Sequence, residues 1–467
     1  MKITLDWLRE HLDGEFDVER VVATLNRIGH EVEGVEDPAE RLNGFRIARV
    51  LTAERHPQAD KLQVLSVDIG DGVPLQVVCG APNARAGMIG VLGMAGAIVP
   101  ANGMELKVSA IRGVESNGMM CSAMELELGD DHDGIIELLD DAPVGMAYAD
   151  FVGAGDPVID ISITPNRQDC MGERGIARDL SAAGLGVLKP LVVPVVAGDE
   201  PCAIEIRTDD PEGCPAFYGR TIHGVANGAS PEWMQRRLKA VGQRPISALV
   251  DITNYVMLDL GRPSHAYDLA KLSGAVVARK GKLGDHNPPF TALNQKDYIP
   301  PPEATVIADD CRILDIAGIM GGDHSGCSET TTDVLLEVAY FTPERIALTG
   351  QALALTSDAR ARFERGVDPA FLDDATAIIT ALILEHCGGT ASAVTRAGEP
   401  PVERKVVEYD PARCASLGGI DVPVERQVEI LESLGFSITR HSREGGNPSP
   451  RWCGFDRLGD GPPPSRG

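Results

Sequence analysis

The chain has 467 residues, 43% of them hydrophobic and 4% aromatic, with a formal net charge of −26. That is enough apolar mass for three or four ordinary cores, and an acidic balance that excludes a broad electrostatic grip on phosphate, so any nucleic-acid contact must be local. Ten scattered cysteines form no C-x-x-C pair, which favours neither a zinc knot nor a redox motif and suits reduced thiols in the cytosol.

Helical spacing over 7–12 and 18–28, with Asp6 and Asp17 as N-caps and Gly29 as a stop, opens the chain. An acid within the first six residues does not read as a signal peptide. A strand-like run follows over 32–35. Residues 40–150 are then β-rich, short β-branched runs alternating with turn chemistry at Gly70-Asp71-Gly72, at 100–103 and at 129–131. This is the pattern of a small closed barrel. Within it, the apolar stretch 88–100 is Gly-rich and too short to span a bilayer, so no membrane partner is expected. Residues 158–163 alternate as a strand, and Thr164-Pro165-Asn166-Arg167 turns into a helix over 169–183 that stops at Gly184.

These first and last pieces read as one α/β unit (1–39 with 151–195) into which the barrel is inserted, closed by an apolar linker at 192–196. Residues 204–398 mix strands (203–207, 218–222, 276–279, 305–308, 334–338) with helices (232–241, 343–354, 370–386), as one α+β domain would. A small α/β segment over 402–440, with an amphipathic helix at 424–434, has no elements left to pack on. From 441 the last 27 residues hold six Gly and five Pro. No core can form from them, so a disordered tail, foreign to what precedes it, is expected. The fold class is multidomain α+β with an inserted barrel and an incomplete C-terminal domain.

No phosphate loop, dinucleotide fingerprint, nucleophile elbow or obvious metal cluster occurs, so metal ligands are assigned to no residue. The barrel segment carries eight basic and sixteen acidic residues and two aromatics, Phe45 and Tyr148, a poor supply for base stacking. The 204–398 domain is richer. His265 lies in Gly261-Arg262-Pro263-Ser264-His265, Gly318, Gly321 and Gly322 share a loop, Glu337 ends an apolar run, and Ser357-Asp358-Ala359 precedes Arg362-Phe363-Glu364-Arg365. Taken singly, each has an ordinary structural reading: a core or turn histidine, a salt-bridged Glu337, and a Glu364–Arg365 ion pair.

Their joint wording changes the balance. His56-Pro57-Gln58-Ala59-Asp60-Lys61-Leu62, Val77-Val78-Cys79-Gly80-Ala81-Pro82-Asn83 and Gly113-Val114-Glu115-Ser116-Asn117-Gly118 resemble the tRNA-binding OB-fold module of aminoacyl-tRNA synthetase systems. Together with Ser162-Ile163-Thr164-Pro165-Asn166-Arg167 and the words of 204–398, the chain from residue 1 to about 440 resembles the bacterial phenylalanine–tRNA ligase beta subunit. The resemblance implies an α2β2 cytoplasmic enzyme whose alpha subunit aminoacylates tRNA with ATP and Mg2+, with no role for DNA. It implies that beta contacts tRNA, here through Lys61, Asn83 and Arg112, and edits Tyr mischarged on the Phe tRNA. The editing pocket then falls on Arg244, His265, Gly321, Glu337, Ser357 and Ala359, with Ser357 standing where many relatives have Thr. Glu337 would take the Tyr hydroxyl, and His265 and Ser357 would hold water or the tRNA end. After about 440 the wording departs from the family, where acidic magnesium ligands belong; a truncated product is the expectation. The alternative is a non-catalytic RNA-binding or inactive fragment.

Overall fold

The computed structural model describes residues 1–129, 133–152, 156–198, 200–282, 290–403, 406–441 and 451–453. Most of the 129–131 turn and most of the tail lie outside them. The chain is a mixed α+β protein of two compact units, one of Gly34–Ile159 and one of Met1–Glu33 with Asp160–Gly467.

In the first unit five antiparallel strands run in the order Gly118–Met120, Ile89–Met94, Phe45–His56, Ala59–Asp68, Leu75–Cys79. The 12-residue strand Phe45–His56 is shared, its first half pairing with Ile89–Met94 and its length from Arg49 with Ala59–Asp68. Register shifts at Val50/Thr52 and Arg55/His56 bend it, which lets one strand follow a curling sheet. Curling continues until Asn117 N–H donates to Gln76 O at 2.8 Å and Val78 N–H donates to Ser116 Oγ at 3.0 Å. The sheet is thereby nearly closed. Phe45 and Ile47 point inward and Arg46 outward; Val50, Leu65, Val67 and Val77 continue the interior.

The second unit is built around two sheets that share a core. One runs His265–Asp268, Asp333–Tyr340, Ala216–His223, with Thr390–Ala391 and Thr395–Gly398 on the far edge of the last. The other runs Ile206–Thr208, Val276–Lys280, Thr305–Ala308, Ile313–Ile316, Met320–Gly321, parallel only at its first pair. Helices Ala248–Leu260 and Leu372–Cys387 bury the remaining face of the first sheet, Ile252 and Val256 meeting Leu336, Val338 and Ile379. Sequence periodicity does not reveal the Ala248–Leu260 helix, because it is buried nearly all round, Asp251 and Asp259 included, and shows no single apolar stripe. Its buried Asp251 is satisfied by Ser230 O–H at 2.6 Å and Ile246 N–H at 2.8 Å.

The N-terminal helices are Leu5–His11 and Val18–Arg27. Asp17 caps the second as expected, but Thr4 caps the first, accepting Trp7 N–H at 3.3 Å, in place of Asp6. The helix expected from 169 begins at Glu173, after a 3-10 turn at Gln168–Cys170. Its N-cap is Gly172, where a Cβ would lie 2.4 Å from Gly261 N, so only glycine permits the approach. At the C-terminal end Arg451–Cys453 forms the middle strand between Glu408–Tyr409 and Thr439–His441. The expectations of a featureless tail and of no partner for the 402–440 segment therefore fail at these three residues. A strand needs backbone donors and acceptors, which composition does not count.

Candidate active site

The strand Asp333–Tyr340 is buried on both faces. Alternation sends Val334, Leu336 and Val338 toward the helices and Leu335, Glu337 and Ala339 between the sheets. Glu337 is thus carried into the core by register alone, 6% exposed. A lone carboxylate there would cost several kcal/mol. It is met by the Tyr267 hydroxyl, which also contacts Asp315 Oδ2. The salt bridge expected of Glu337 is absent among the described residues; a phenol has taken that place.

Burial raises the Glu337 carboxyl to about 8, the Asp315 charge adding to the rise while Arg262 opposes it. Tyr267 is pushed well above the ordinary phenol range by burial and by the same two carboxylates. Asp315 accepts Gly322 N–H at 3.1 Å. Tyr267 and Asp315 are the site members that sequence reading missed. The signal was available in Ile313–Ile316, where an acid interrupts an apolar strand.

His265 pairs directly across from Glu337, and alternation puts it on the same face as Tyr267. Its ring meets Tyr267 edge-on at 4.6 Å, and its Nε2 lies 3.9 Å from Asp315 Oδ1, beyond hydrogen-bond reach. Buried polar atoms without a partner among the described residues lie here: Arg262 Nε, Ser264 Oγ and His265 Nε2. Such orphans call for a function or a ligand. Gly321 closes this side. A Cβ there would fall 2.7 Å from His265 Cε1 and 3.0 Å from Leu293 Cδ1, so the absent side chain makes room for the imidazole.

Ser357 caps the helix Asp358–Phe363, accepting Arg360 N–H at 3.0 Å, and donates its own O–H to Ile319 O at 2.6 Å. It therefore ties the helix to the segment leading into Gly321. Ala359 is half-buried and packs on both cores. Arg244 is exposed. Its neighbour Gln243 donates to Asp358 Oδ2 at 2.8 Å, which fastens the Arg244 loop beside Ser357. Structure thus links His265, Gly321, Glu337 and Ser357 through named contacts, and Arg244 through its neighbour. The Glu364–Arg365 pair does not form: Glu364 binds Arg360 at 2.9 Å, while Arg365 reaches Ile163 O and Met171 Sδ. Helical geometry decides this, since residues four apart face one another and adjacent ones do not.

In the barrel unit Lys61 and Arg112 are exposed. His56 Nε2 lies 3.0 Å from Ile111 O, which brings the Arg112 turn to the His56 end of the sheet. Asn83 is committed to structure, donating to Ile135 O at 2.8 Å and accepting Ile135 N–H at 2.9 Å.

The one metal-like grouping among the described residues is His30, Cys170 and Asp179, all buried. It is filled by a protein cation: Arg167 contacts Asp179 and lies 2.9 Å from Cys170 Sγ, and Arg178 binds Asp169 and Asp179. Desolvation works against Asp169, but the two guanidinium groups hold it down at about 2. Thiol and imidazole donors are also wrong for magnesium.

Residues 213–388 match the family model described as "B3/4 domain", and residues 45–147 match the one described as "Putative tRNA binding domain". The phenylalanine–tRNA ligase beta subunit of Novosphingobium aromaticivorans is 67% identical over 438 residues, covering 94% of this chain and 54% of that protein. The same-named proteins of Zymomonas mobilis subsp. mobilis and Rhodopseudomonas palustris are 56% and 50% identical, again over 94% of this chain and 55% and 54% of theirs. This chain is thus similar over nearly its whole length to phenylalanine–tRNA ligase beta subunits, and it spans about half the length of the curated relatives it matches.

Proposed function

We propose that this chain serves the beta-subunit role of a phenylalanine–tRNA ligase, contacting tRNA and hydrolysing Tyr-tRNA made in error. The observation that carries the reading is the buried Glu337 carboxyl opposite His265, whose Nε2 lacks a partner among the described residues. Phe and Tyr differ by one hydroxyl, which an apolar pocket rejects poorly. A buried carboxyl reverses the preference: the Glu337 oxygen not bound to Tyr267 hydrogen-bonds the Tyr hydroxyl and loses that partner with Phe.

Hydrolysis needs one water held against the ester carbonyl. His265 Nε2 takes its proton as the oxygen attacks carbon, and the ribose oxygen leaves with a proton, giving free Tyr and uncharged tRNA. Gly321 gives the imidazole its space, Ser357 fixes the segment before Gly321, Ala359 walls the site, and Arg244 attracts the phosphate of the tRNA end. Ser357 acts through that segment, because its O–H is given to Ile319. Lys61 and Arg112 supply phosphate contacts on the barrel, and Asn83 supports the loop between them and the core.

With this reading go an OB fold at 40–150, an N-terminal α/β domain at 1–39 with 151–195, an editing domain at 204–398 and a small domain from 402. Aminoacylation, with its ATP and Mg2+, belongs to the α2β2 assembly with an alpha subunit, and the hydrolysis uses neither. The purified chain, given pre-made Tyr-tRNA, is expected to release Tyr above the buffer rate and to lose that activity in Glu337→Ala. No turnover above buffer overturns the editing reading. A stoichiometric complex on co-expression with the alpha subunit supports the assembly.

A further inference from the structure

The contacts around Tyr267 do not balance with two ionised carboxylates. The phenol has one hydrogen, yet its oxygen makes short contacts with both Glu337 and Asp315. It can donate to only one of them, so the other contact requires a proton on the carboxyl, with the phenol oxygen accepting. Backbone placement says where that proton sits. Asp315 also accepts Gly322 N–H at 3.1 Å, so its carboxyl already acts as an acceptor there. Among the described residues Glu337 has no partner beyond Tyr267.

Resting on the editing reading, we propose that Tyr267 and Asp315 are positioning residues of the site. They form a chain in which Glu337 O–H donates to Tyr267 and Tyr267 O–H donates to Asp315, holding Glu337 protonated at neutral pH and fixed in one orientation. The substrate hydroxyl is then read by a neutral carboxyl, and the charge stays one phenol away. No bond to carbon is made or broken by this chain. Its proton leaves only when Glu337 titrates.

The charged and titratable groups around Glu337 are few. Tyr267 and His265 come from the neighbouring strand, Asp315 from the second sheet, Arg262 from the loop before His265, and Cys214, its thiol pushed up chiefly by burial, from the turn before Ala216–His223. Two substitutions probe the chain at its two links. Asp315→Asn removes a like charge and retains an acceptor for the phenol, so Glu337 ionises at lower pH. Tyr267→Phe removes the phenol oxygen that accepts the Glu337 proton, so Glu337 ionises at lower pH; a midpoint that rises instead means that the phenol donates to an ionised Glu337 and overturns the chain. A residue that merely supports the fold would move neither midpoint in a directed way.

The test is isotope-edited infrared titration of the Glu carboxyls of the full chain, with Glu337→Gln identifying the Glu337 band, beside Tyr-tRNA hydrolysis over the same pH range. The expected result is a protonated Glu337 band at pH 7, a midpoint lower in both Asp315→Asn and Tyr267→Phe, and about tenfold loss of Tyr-over-Phe preference in Tyr267→Phe. A thermal melt of each variant confirms that it is folded. A variant that does not fold leaves the wild-type band to decide. An ionised Glu337 at pH 7 in the wild type, or midpoints unmoved in both folded variants, overturns the proposal whatever the hydrolysis does. The expected bands without hydrolysis by the wild type would instead overturn the editing reading and leave the proton chain standing.

Discussion

The barrel unit and the two-sheet unit make opposite use of their polar residues. In the barrel the recognisable words serve structure. Asn83 spends both ends of its amide on the backbone of Ile135, His56 binds Ile111 O, and Ser116 takes Val78 N–H. The cations that could meet RNA are exposed among twice as many acids. In the two-sheet unit the polar residues lie inside, and several lack partners among the described residues. Polar groups satisfied by backbone stabilise a fold, whereas buried ones left unpaired or sharing a proton are held ready for chemistry.

The largest effect that would sharpen this contrast comes from Glu337→Ala. Tyr-tRNA hydrolysis should fall at least about a hundredfold, while RNA binding by filter assay stays within about twofold. Equal losses in both assays would erase the distinction between the units. Gly321→Ala comes next. Its methyl group would displace His265, and about ten- to a hundredfold loss of kcat is expected, with the melting temperature nearly unchanged.

Acidity gives a third handle. The folded-state pKa of Glu337 lies above its unfolded value of 4.5, so the native state holds the extra proton between that value and about 8. Stability from this proton is fully present below the unfolded pKa and is lost as pH rises through the folded one. The melting temperature of the wild type relative to Glu337→Gln should therefore fall across that window, measured by calorimetry at several pH values. Asp169 behaves in the opposite sense. Its lowered pKa contributes stability above 3.8 that is lost as pH falls toward about 2.

The barrel predictions are smaller. Asn83→Ala should cost about 1–2 kcal/mol in denaturant unfolding of the barrel by leaving Ile135 N–H and C=O unpaired. The slope of tRNA affinity against salt should stay as it is. Lys61→Ala and Arg112→Ala should do the reverse, each lowering that slope by about one at unchanged stability.

Much of the architecture is legible from local signals. Asp17 as a cap, Gly29 and Gly184 as stops, and strands at Thr305–Ala308 and Asp333–Tyr340 all follow from turn chemistry and alternation. The helix Ala248–Leu260 does not, because a helix buried on nearly every side has no clear period to read. The strand Arg451–Cys453 does not either, because backbone pairing supplies it. In the site, Glu337 and His265 stand out as residues, but their pairing across two strands is a matter of register. Tyr267 and Asp315 became partners only through the meeting of two sheets, a contact that sequence spacing does not encode.

The most direct test compares the chain's hydrolysis of Tyr-tRNA and Phe-tRNA on the same Phe tRNA, by single-turnover release at pH 7. The geometry predicts Tyr released faster than Phe by at least about a hundredfold, with most of the difference lost in Glu337→Ala. Equal rates for the two esters, or a preference untouched by that substitution, would contradict the assignment of Glu337 as the group that reads the hydroxyl.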